Sequence, residues 1–310
     1  MSRAVLIVLS LLPALTRAAD PATPWTVRGH VPPDQFVIQS HRGAGELAPE
    51  NTLATFELAW QLGTYPEADV RTTRDGVTVT FHDANFARVV KDADEALRNK
   101  GVGDLTWDEL SKLDVGSWRG EKFKGARVAT VAEVFAQMTG RPERRLYLDI
   151  KTVDLAKLAD EVRKHKVAGQ VILASTKYDL IRKWKALVPE SGTLLWMGGS
   201  EAELTKRFEE LRKTKFADVT QLQVHVRPRK DAALDQPDPF TPSDAFLTAT
   251  GRELRERGVL FQVLPWGVKD PKAYARLLDL GVMSFATDYP DVTTAAVRAY
   301  YGAPATTPAR

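Results

Sequence analysis

The feature that most constrains this chain is an alternation that begins at Phe36 and continues almost to the C-terminus. A short apolar run ends in a turn or a polar residue, a segment with apolar residues at helical spacing follows, and another short run comes next. The pattern predicts strands at 36–39, 65–73, 145–151, 170–174, 193–197, 221–226, 259–264 and 282–287. It predicts helices at 51–63, 131–138, 154–164, 177–187, 201–213, 243–257, 271–280 and 292–301, with Gly63 placed as a C-cap and Ser243 as an N-cap. Parallel strands need a long crossover between them, so strands that alternate with helices imply a parallel sheet. Eight such units in 310 residues, 44% of them hydrophobic, suit a closed barrel, which typically takes about 250 residues. The glycine-rich phosphate loops of open doubly wound sheets are absent from the sequence. The expected fold is therefore α/β, a (β/α)8 TIM barrel.

One stretch breaks the rhythm. After a turn signal at Arg74-Asp75-Gly76 comes a further apolar run at 77–81, and then about 84–128 is polar and glycine-containing with one short helix candidate at 107–113. This reads as a small insertion over the top of the second strand. The barrel proper then spans 36–302. Ahead of it, Arg3, the apolar run 4–15 and Thr16-Arg17-Ala18 have the pattern of an export signal over residues 1–18. The apolar run is shorter than the roughly 20 residues of a membrane-spanning helix, so no stable membrane anchor is expected. Residues 19–35 form a proline-rich lead-in, and 303–310 a tail expected to be disordered. The absence of Cys excludes disulfides and thiolate chemistry, which suits a periplasmic or secreted bacterial protein. A net charge of +3, from 43 basic and 40 acidic residues without a long basic run, gives no support to nucleic-acid binding.

Barrels place their chemistry at the carboxyl ends of the strands. His41, Glu67, Asp69, His82, Asp149, Lys151, Trp266 and Asp288 all fall at or near the ends of apolar runs. Residues two apart in a strand share a face, so Glu67 and Asp69 present their carboxylates together. With Asp149 on a neighbouring strand they make an all-oxygen site for one hard divalent cation, Ca²⁺ or Mg²⁺. Arg42 and Lys151 are cations able to hold a phosphate. His41 and His82 are imidazoles, the side chain best suited to proton transfer. Such a set can cleave a phosphodiester: the cations absorb charge growing on the phosphoryl oxygens, one imidazole takes a proton, and the other gives one. Glu50 and Asn51 read as the start of the first helix, and His225 as a residue ending the sixth strand.

Several short motifs recur in an order that resembles the glycerophosphodiester phosphodiesterase family of TIM barrels. They are His41-Arg42-Gly43, Pro49-Glu50-Asn51-Thr52, Glu67-x-Asp69, Thr73-x-Asp75-Gly76, His82-Asp83, 114–118 with Gly125, 130–133, Leu148-Asp149-Ile150-Lys151 and Thr287-Asp288-Tyr289-Pro290. The resemblance implies His41 and His82 as the acid/base pair, and Glu67, Asp69 and Asp149 as metal ligands. It implies Arg42 and Lys151 as phosphate contacts, and a small-molecule glycerophosphodiester as substrate, cleaved to an alcohol and glycerol 3-phosphate. Trp266 is a candidate wall for the glycerol or headgroup. The family's third ligand is usually Glu, and the shorter Asp149 must draw the ion toward its strand or bind it through water. The rival readings are a phospholipase D-like enzyme acting on lipid headgroups with the same scaffold, and a phosphodiester-binding protein without turnover.

Overall fold

The computed structural model describes residues 25–230 and 232–302; the expected export signal, the start of the lead-in and the tail lie outside them. Among the described residues, eight parallel strands close on themselves: β1 (Val37–Ser40), β2 (Tyr65–Thr72), β4 (Leu146–Thr152), β5 (Val171–Ser175), β6 (Gly192–Met197), β7 (Gln221–Pro228), β9 (Leu260–Pro265) and β10 (Ser284–Thr287). Closure comes from β1, which pairs with β10 on one side and β2 on the other. The architecture is the expected (β/α)8 barrel. Two short strands lie outside the ring, β3 (Thr78–Thr80) against β2 and β8 (Phe240–Thr241) against β7, both antiparallel.

The helices begin where the sequence supplies caps. A short α1 (Val27–His30), capped by Thr26, lies in the lead-in that carries no periodic signal. α2 (Leu53–Gln61) starts later than expected: Thr52, not Asn51, accepts from Thr55 N, while Asn51 takes a left-handed φ of 56°. In the connection after β3, α3 (Glu95–Arg98) and α4 (Trp107–Leu110) are single turns. α5 (Val131–Met138) and α8 (Glu201–Lys213) open with capping boxes, Thr130/Glu133 and Ser200/Glu203. α6 (Leu155–His165) and α7 (Tyr178–Leu187) separate β4, β5 and β6. α9 (Asp244–Glu256) is capped by Ser243, α10 (Pro271–Asp279) has Pro at its start, and α11 (Pro290–Gly302) is the last helix among the described residues.

Alternation along the strands sorts two environments. Ile38, Ala68, Leu148, Leu173, Leu195, Val224, Val263 and Phe285 point outward into the main core beneath the helices. The inward positions include a small apolar cluster of Tyr147, Ile172, Ala174 and Leu194. The rest of that interior is polar. Gln223 Nε2 donates to Gln262 Oε1 at 2.5 Å and to Gln39 Oε1 at 3.3 Å, and Gln262 donates to Ser284 Oγ at 2.9 Å. Barrel interiors are usually filled by branched apolar side chains, and here a chain of hydrogen-bonded amides replaces part of that packing.

A second apolar cluster lies outside the ring, made by Val79, Phe81, Phe86, Val89, Leu110, Val115 and Val128. It gives the segment after β3 its own support. Asp114 organises that segment by accepting from the backbone N–H of Gly116, Ser117 and Gly125 at 2.8–2.9 Å.

Candidate active site

His82 reaches the barrel mouth by a route the sequence does not suggest. The run 77–81 is not a barrel strand: β3 is the return arm of a hairpin, with Val70 opposite Thr80 and Thr72 opposite Thr78. β2 overshoots the ring, turns at Gly76, and β3 brings the chain back until Phe81 N donates to Asp69 O at 2.7 Å. That contact sets His82 beside the acids of β2. His41 leaves β1 directly, its N–H bonded to Thr287 O at 2.9 Å.

Glu67, Asp69 and Asp149 converge as the strand faces require, since Asp69 and Asp149 are register partners of β2 and β4. Each offers a carboxylate oxygen, and these three oxygens lie within 4.8 Å of one another. All three residues are nearly inaccessible, at 5%, 0% and 5% exposure. Burial, with the neighbouring Asp69 and Asp149 charges, pushes Glu67 up to about 7, although His41 pulls the other way. Burial also raises Asp149, against the pull of Lys151. Asp69 stays low despite its burial because Lys151 and an Asn51 hydrogen bond favour its charge. Asn51 grips that strand from both sides, donating to Asp69 Oδ2 at 2.8 Å and accepting from Asp69 N at 2.9 Å. Its role is thus to position a carboxylate and not to cap α2.

Lys151 lies between two of these acids, 2.5 Å from Asp149 Oδ2 and 3.1 Å from Asp69 Oδ1. A single ammonium among three buried carboxylates leaves negative charge uncompensated, which an interior tolerates poorly. Asp69 Oδ1 is moreover buried without a hydrogen bond in acceptable geometry. Three converging carboxylates that share one ammonium, two of them with raised pKa values, are what a hard divalent cation would satisfy, so the donor set fits one.

The two imidazoles flank the acids, each backed by its own carboxylate. His41 Nδ1 is 2.6 Å from Asp288 Oδ1, and its Nε2 is 3.8 Å from Glu67 Oε2. Burial alone would lower the His41 pKa, but Glu67 and Asp288 outweigh it and the net shift is upward. His82 Nδ1 is 2.7 Å from Asp83 Oδ1, and its Nε2 lies 2.8 Å from Arg42 Nη2. A guanidinium only donates, so His82 Nε2 carries a lone pair and its proton is on Nδ1.

That contact belongs to a closed ring of side chains. Arg42 Nη1 bonds Glu50 at 3.3 Å, Arg88 bridges Glu50 at 2.6 Å and Asp83 at 2.7 Å, and Asp83 returns to His82. The Arg88 guanidinium also lies 5.1 Å over the Trp118 ring. Arg42 therefore does not stand free as a phosphate fork: both terminal nitrogens are engaged, and its buried Nε has no partner among the described residues. Trp266 packs edge-on against His41 at 5.8 Å, and its buried Nε1 is likewise unpartnered. Arg88 and Trp196, which donates to Asp149 Oδ1 at 3.3 Å, are site residues outside every motif, and Glu50 and Asp83 lie within motifs that gave them no role in the site. The only local hint was the adjacency of Glu50 and Asp83 to residues already chosen.

Two cavities meet here. The inner one, about 120 Å³, is lined by Glu67, His82, Asp149, Lys151, Trp196 and His225 among others. The outer one, about 270 Å³, is bounded by Glu46, Glu50, Arg88, Trp118 and Arg119. His41, Arg42 and Trp266 line both.

Comparison with known proteins gives the chain a family. Residues 41–292 match the model of the Glycerophosphoryl diester phosphodiesterase family. A glycerophosphodiester phosphodiesterase of Bacillus subtilis is 27% identical over 288 residues, covering 84% of this chain and 86% of that protein. One from Caldanaerobacter subterraneus is 32% identical over 161 residues, covering 49% of this chain and 63% of its own length. Among solved structures, an Oleispira antarctica phosphodiesterase in complex with the product sn-glycerol-3-phosphate superposes with a TM-score of 0.61 at 24% identity, covering 84% of this chain and 96% of that one.

Proposed function

The chain belongs to the Glycerophosphoryl diester phosphodiesterase family, and from that premise we propose that it hydrolyses glycerophosphodiesters by proton transfer between His82 and His41 beside a cation held by Glu67, Asp69 and Asp149. One observation supports this above the others: two imidazoles, each with its own buttressing carboxylate, flank a buried three-acid cluster at one mouth of the barrel.

The partners of each ring assign its task. His82, with an Nε2 lone pair, is the base. A phosphate oxygen is a stronger acceptor for Arg42 than an imidazole nitrogen, so a bound diester draws the guanidinium away and frees that lone pair. His82 then takes the proton of the hydroxyl that attacks phosphorus, whether water's or the glycerol's own. The bond from phosphorus to the departing alcohol oxygen breaks with its electron pair on that oxygen. His41, kept protonated by Asp288 and Glu67, delivers a proton there from Nε2. With water as nucleophile the products are an alcohol and glycerol 3-phosphate; with the glycerol hydroxyl, a cyclic phosphate forms first and water opens it. Trp266 Nε1 and Arg42 Nε are unused donors beside the phosphate position. A divalent cation, Ca²⁺ or Mg²⁺, would supply Lewis-acid stabilisation of charge growing on the phosphoryl oxygens. Lys151 neutralises the same acids and would offer the phosphate a second cationic contact. Export from the cell, with the chain beginning near Ala19, completes the proposal.

The test is an assay of the purified chain on glycerophosphocholine and glycerophosphoethanolamine, with Ca²⁺, with Mg²⁺ and with EDTA. Release of alcohol that stops on chelation and returns with one ion is expected. Full activity in EDTA, or in His41→Ala or His82→Ala chains, would overturn the assignment; each substitution should lower turnover at least about a hundredfold.

A further inference from the structure

A third cavity opens at the same mouth beside the inner one. It measures about 310 Å³ and is lined by Arg71, Asp149, Lys151, Thr176, Lys177 and Trp196 among others. It shares Asp149, Lys151 and Trp196 with the inner cavity and no residue with the outer one. The three spaces thus form a row with the inner cavity in the middle. Trp196, stacked on His225 at 5.1 Å, stands at the boundary of the inner and third spaces.

The charges around the third cavity do not balance. Asp149 is the single acid among its lining residues, and Lys151 already meets it at 2.5 Å. Arg71 and the exposed Lys177 remain. Arg71 donates from Nε and Nη2 to the His82 carbonyl oxygen at 3.3 and 2.8 Å, and pairs with no carboxylate among the described residues. Burial lowers its pKa, although the Asp69 and Asp83 charges pull the other way. Arg207, on α8, donates to the Thr176 carbonyl oxygen at 3.1 Å, again without an acid partner among the described residues, and burial lowers it too. A half-buried cation bonded only to carbonyl oxygens has lost water and gained no countercharge.

The hydrolytic step does not use these charges. His41 and Arg42 line both the inner and the outer cavity, whereas Arg71, Lys177 and Arg207 line neither. Clustered cations on a cleft wall focus a positive field, and a guanidinium beside an ammonium complements a phosphate group. We propose that the third cavity is a second anion site, which takes a further phosphate carried by the substrate. The preferred diesters then bear a second phosphoryl group on the half that enters the inner cavity. Arg71 and Lys177 bind that group, Arg71 through the N–H hydrogens that it does not spend on His82. Arg207 adds its charge from the rim.

This inference rests on the hydrolase reading, and binding measurements separate the two. Calorimetry on the full chain with Ca²⁺ compares sn-glycerol 3-phosphate with glycerol 1,3-bisphosphate, which adds one phosphate to the same carbon skeleton. The wild-type chain should bind the bisphosphate about tenfold more tightly, the worth of one charge-assisted hydrogen bond. Lys177→Glu, at an exposed position, should cut that preference about fivefold and change the affinity for glycerol 3-phosphate by less than about twofold. Arg71→Gln should cut the preference as well, and the ratio of the two ligands stays informative even if His82 shifts. A preference that came from the bound cation alone would survive both substitutions. That result, or equal affinity for the two ligands in the wild-type chain, would overturn the second anion site, while turnover of glycerophosphocholine by the wild-type chain left the hydrolase reading standing.

Discussion

The Asp288→Asn substitution tests the acid role of His41 through a signature that simple damage would not produce. Asp288 Oδ1 lies 2.6 Å from His41 Nδ1, and the two side chains are only 21% and 16% exposed, so solvent screens the pair weakly. Asparagine keeps the shape and can still offer an oxygen, but the charge is gone. A hydrogen bond to a charged partner contributes about 1.5–3 kcal/mol, and that support for the imidazolium is what the substitution removes. The sign follows from the role. A general acid must be protonated, so activity falls as pH rises through its pKa, and lowering that pKa moves the alkaline limb to lower pH. Above both pKa values the rate follows the protonated fraction, and the loss is about ten- to 150-fold. At low pH, where the ring is protonated in either chain, the deficit shrinks toward nothing. A bound cation strengthens the expectation, since it cancels the attraction of Glu67 for His41 but leaves that of Asp288. The assay is kcat/KM for choline release from glycerophosphocholine across the pH range, with thermal melts as a folding control. A deficit of the same size at every pH, or none, would refute His41 as the acid.

Cation affinity should depend on pH through Glu67: with its pKa pushed to about 7, the proton competes with the ion, so Ca²⁺ binding measured by calorimetry weakens from pH 8 to pH 6, and a flat profile would remove Glu67 from the ligand set. Gly45→Ala should cost at least about 2 kcal/mol and most of the activity, because Gly45 has φ +56° and a Cβ there would lie 2.2 Å from the Asp288 carbonyl oxygen; an unchanged melting temperature would contradict this. Arg88→Lys removes the two-sided clamp on Glu50 and Asp83, and is expected to lower kcat about tenfold with little change in melting temperature. Asp114→Ala frees three backbone N–H groups, should destabilise the segment carrying Trp118 by about 2 kcal/mol, and should raise KM more than it lowers kcat.

The alternation of strand and helix, and with it the barrel, could be read from the sequence because each unit reports on itself: an apolar run of five residues, a cap, a helical stripe. Parity along a strand is equally local, so Glu67 with Asp69, and Asp149 on its own strand, were legible as a group facing inward. Adjacent motifs likewise placed His41 and Arg42 at one strand end. What remained hidden depends on closure. The carboxylate that supports His41 lies 247 residues away and arrives only because β1 pairs with β10. His82 reaches the mouth by an antiparallel return that an apolar run cannot distinguish from a barrel strand. The ring through Arg42, Glu50, Arg88, Asp83 and His82, and the stacking of His225 on Trp196, join segments whose separation in the chain is unrelated to their separation in space. Sequence pattern decides which face a side chain takes; strand register and ring closure decide which other side chains share it, because a hydrogen bond is set by ångströms and the pattern fixes only sides.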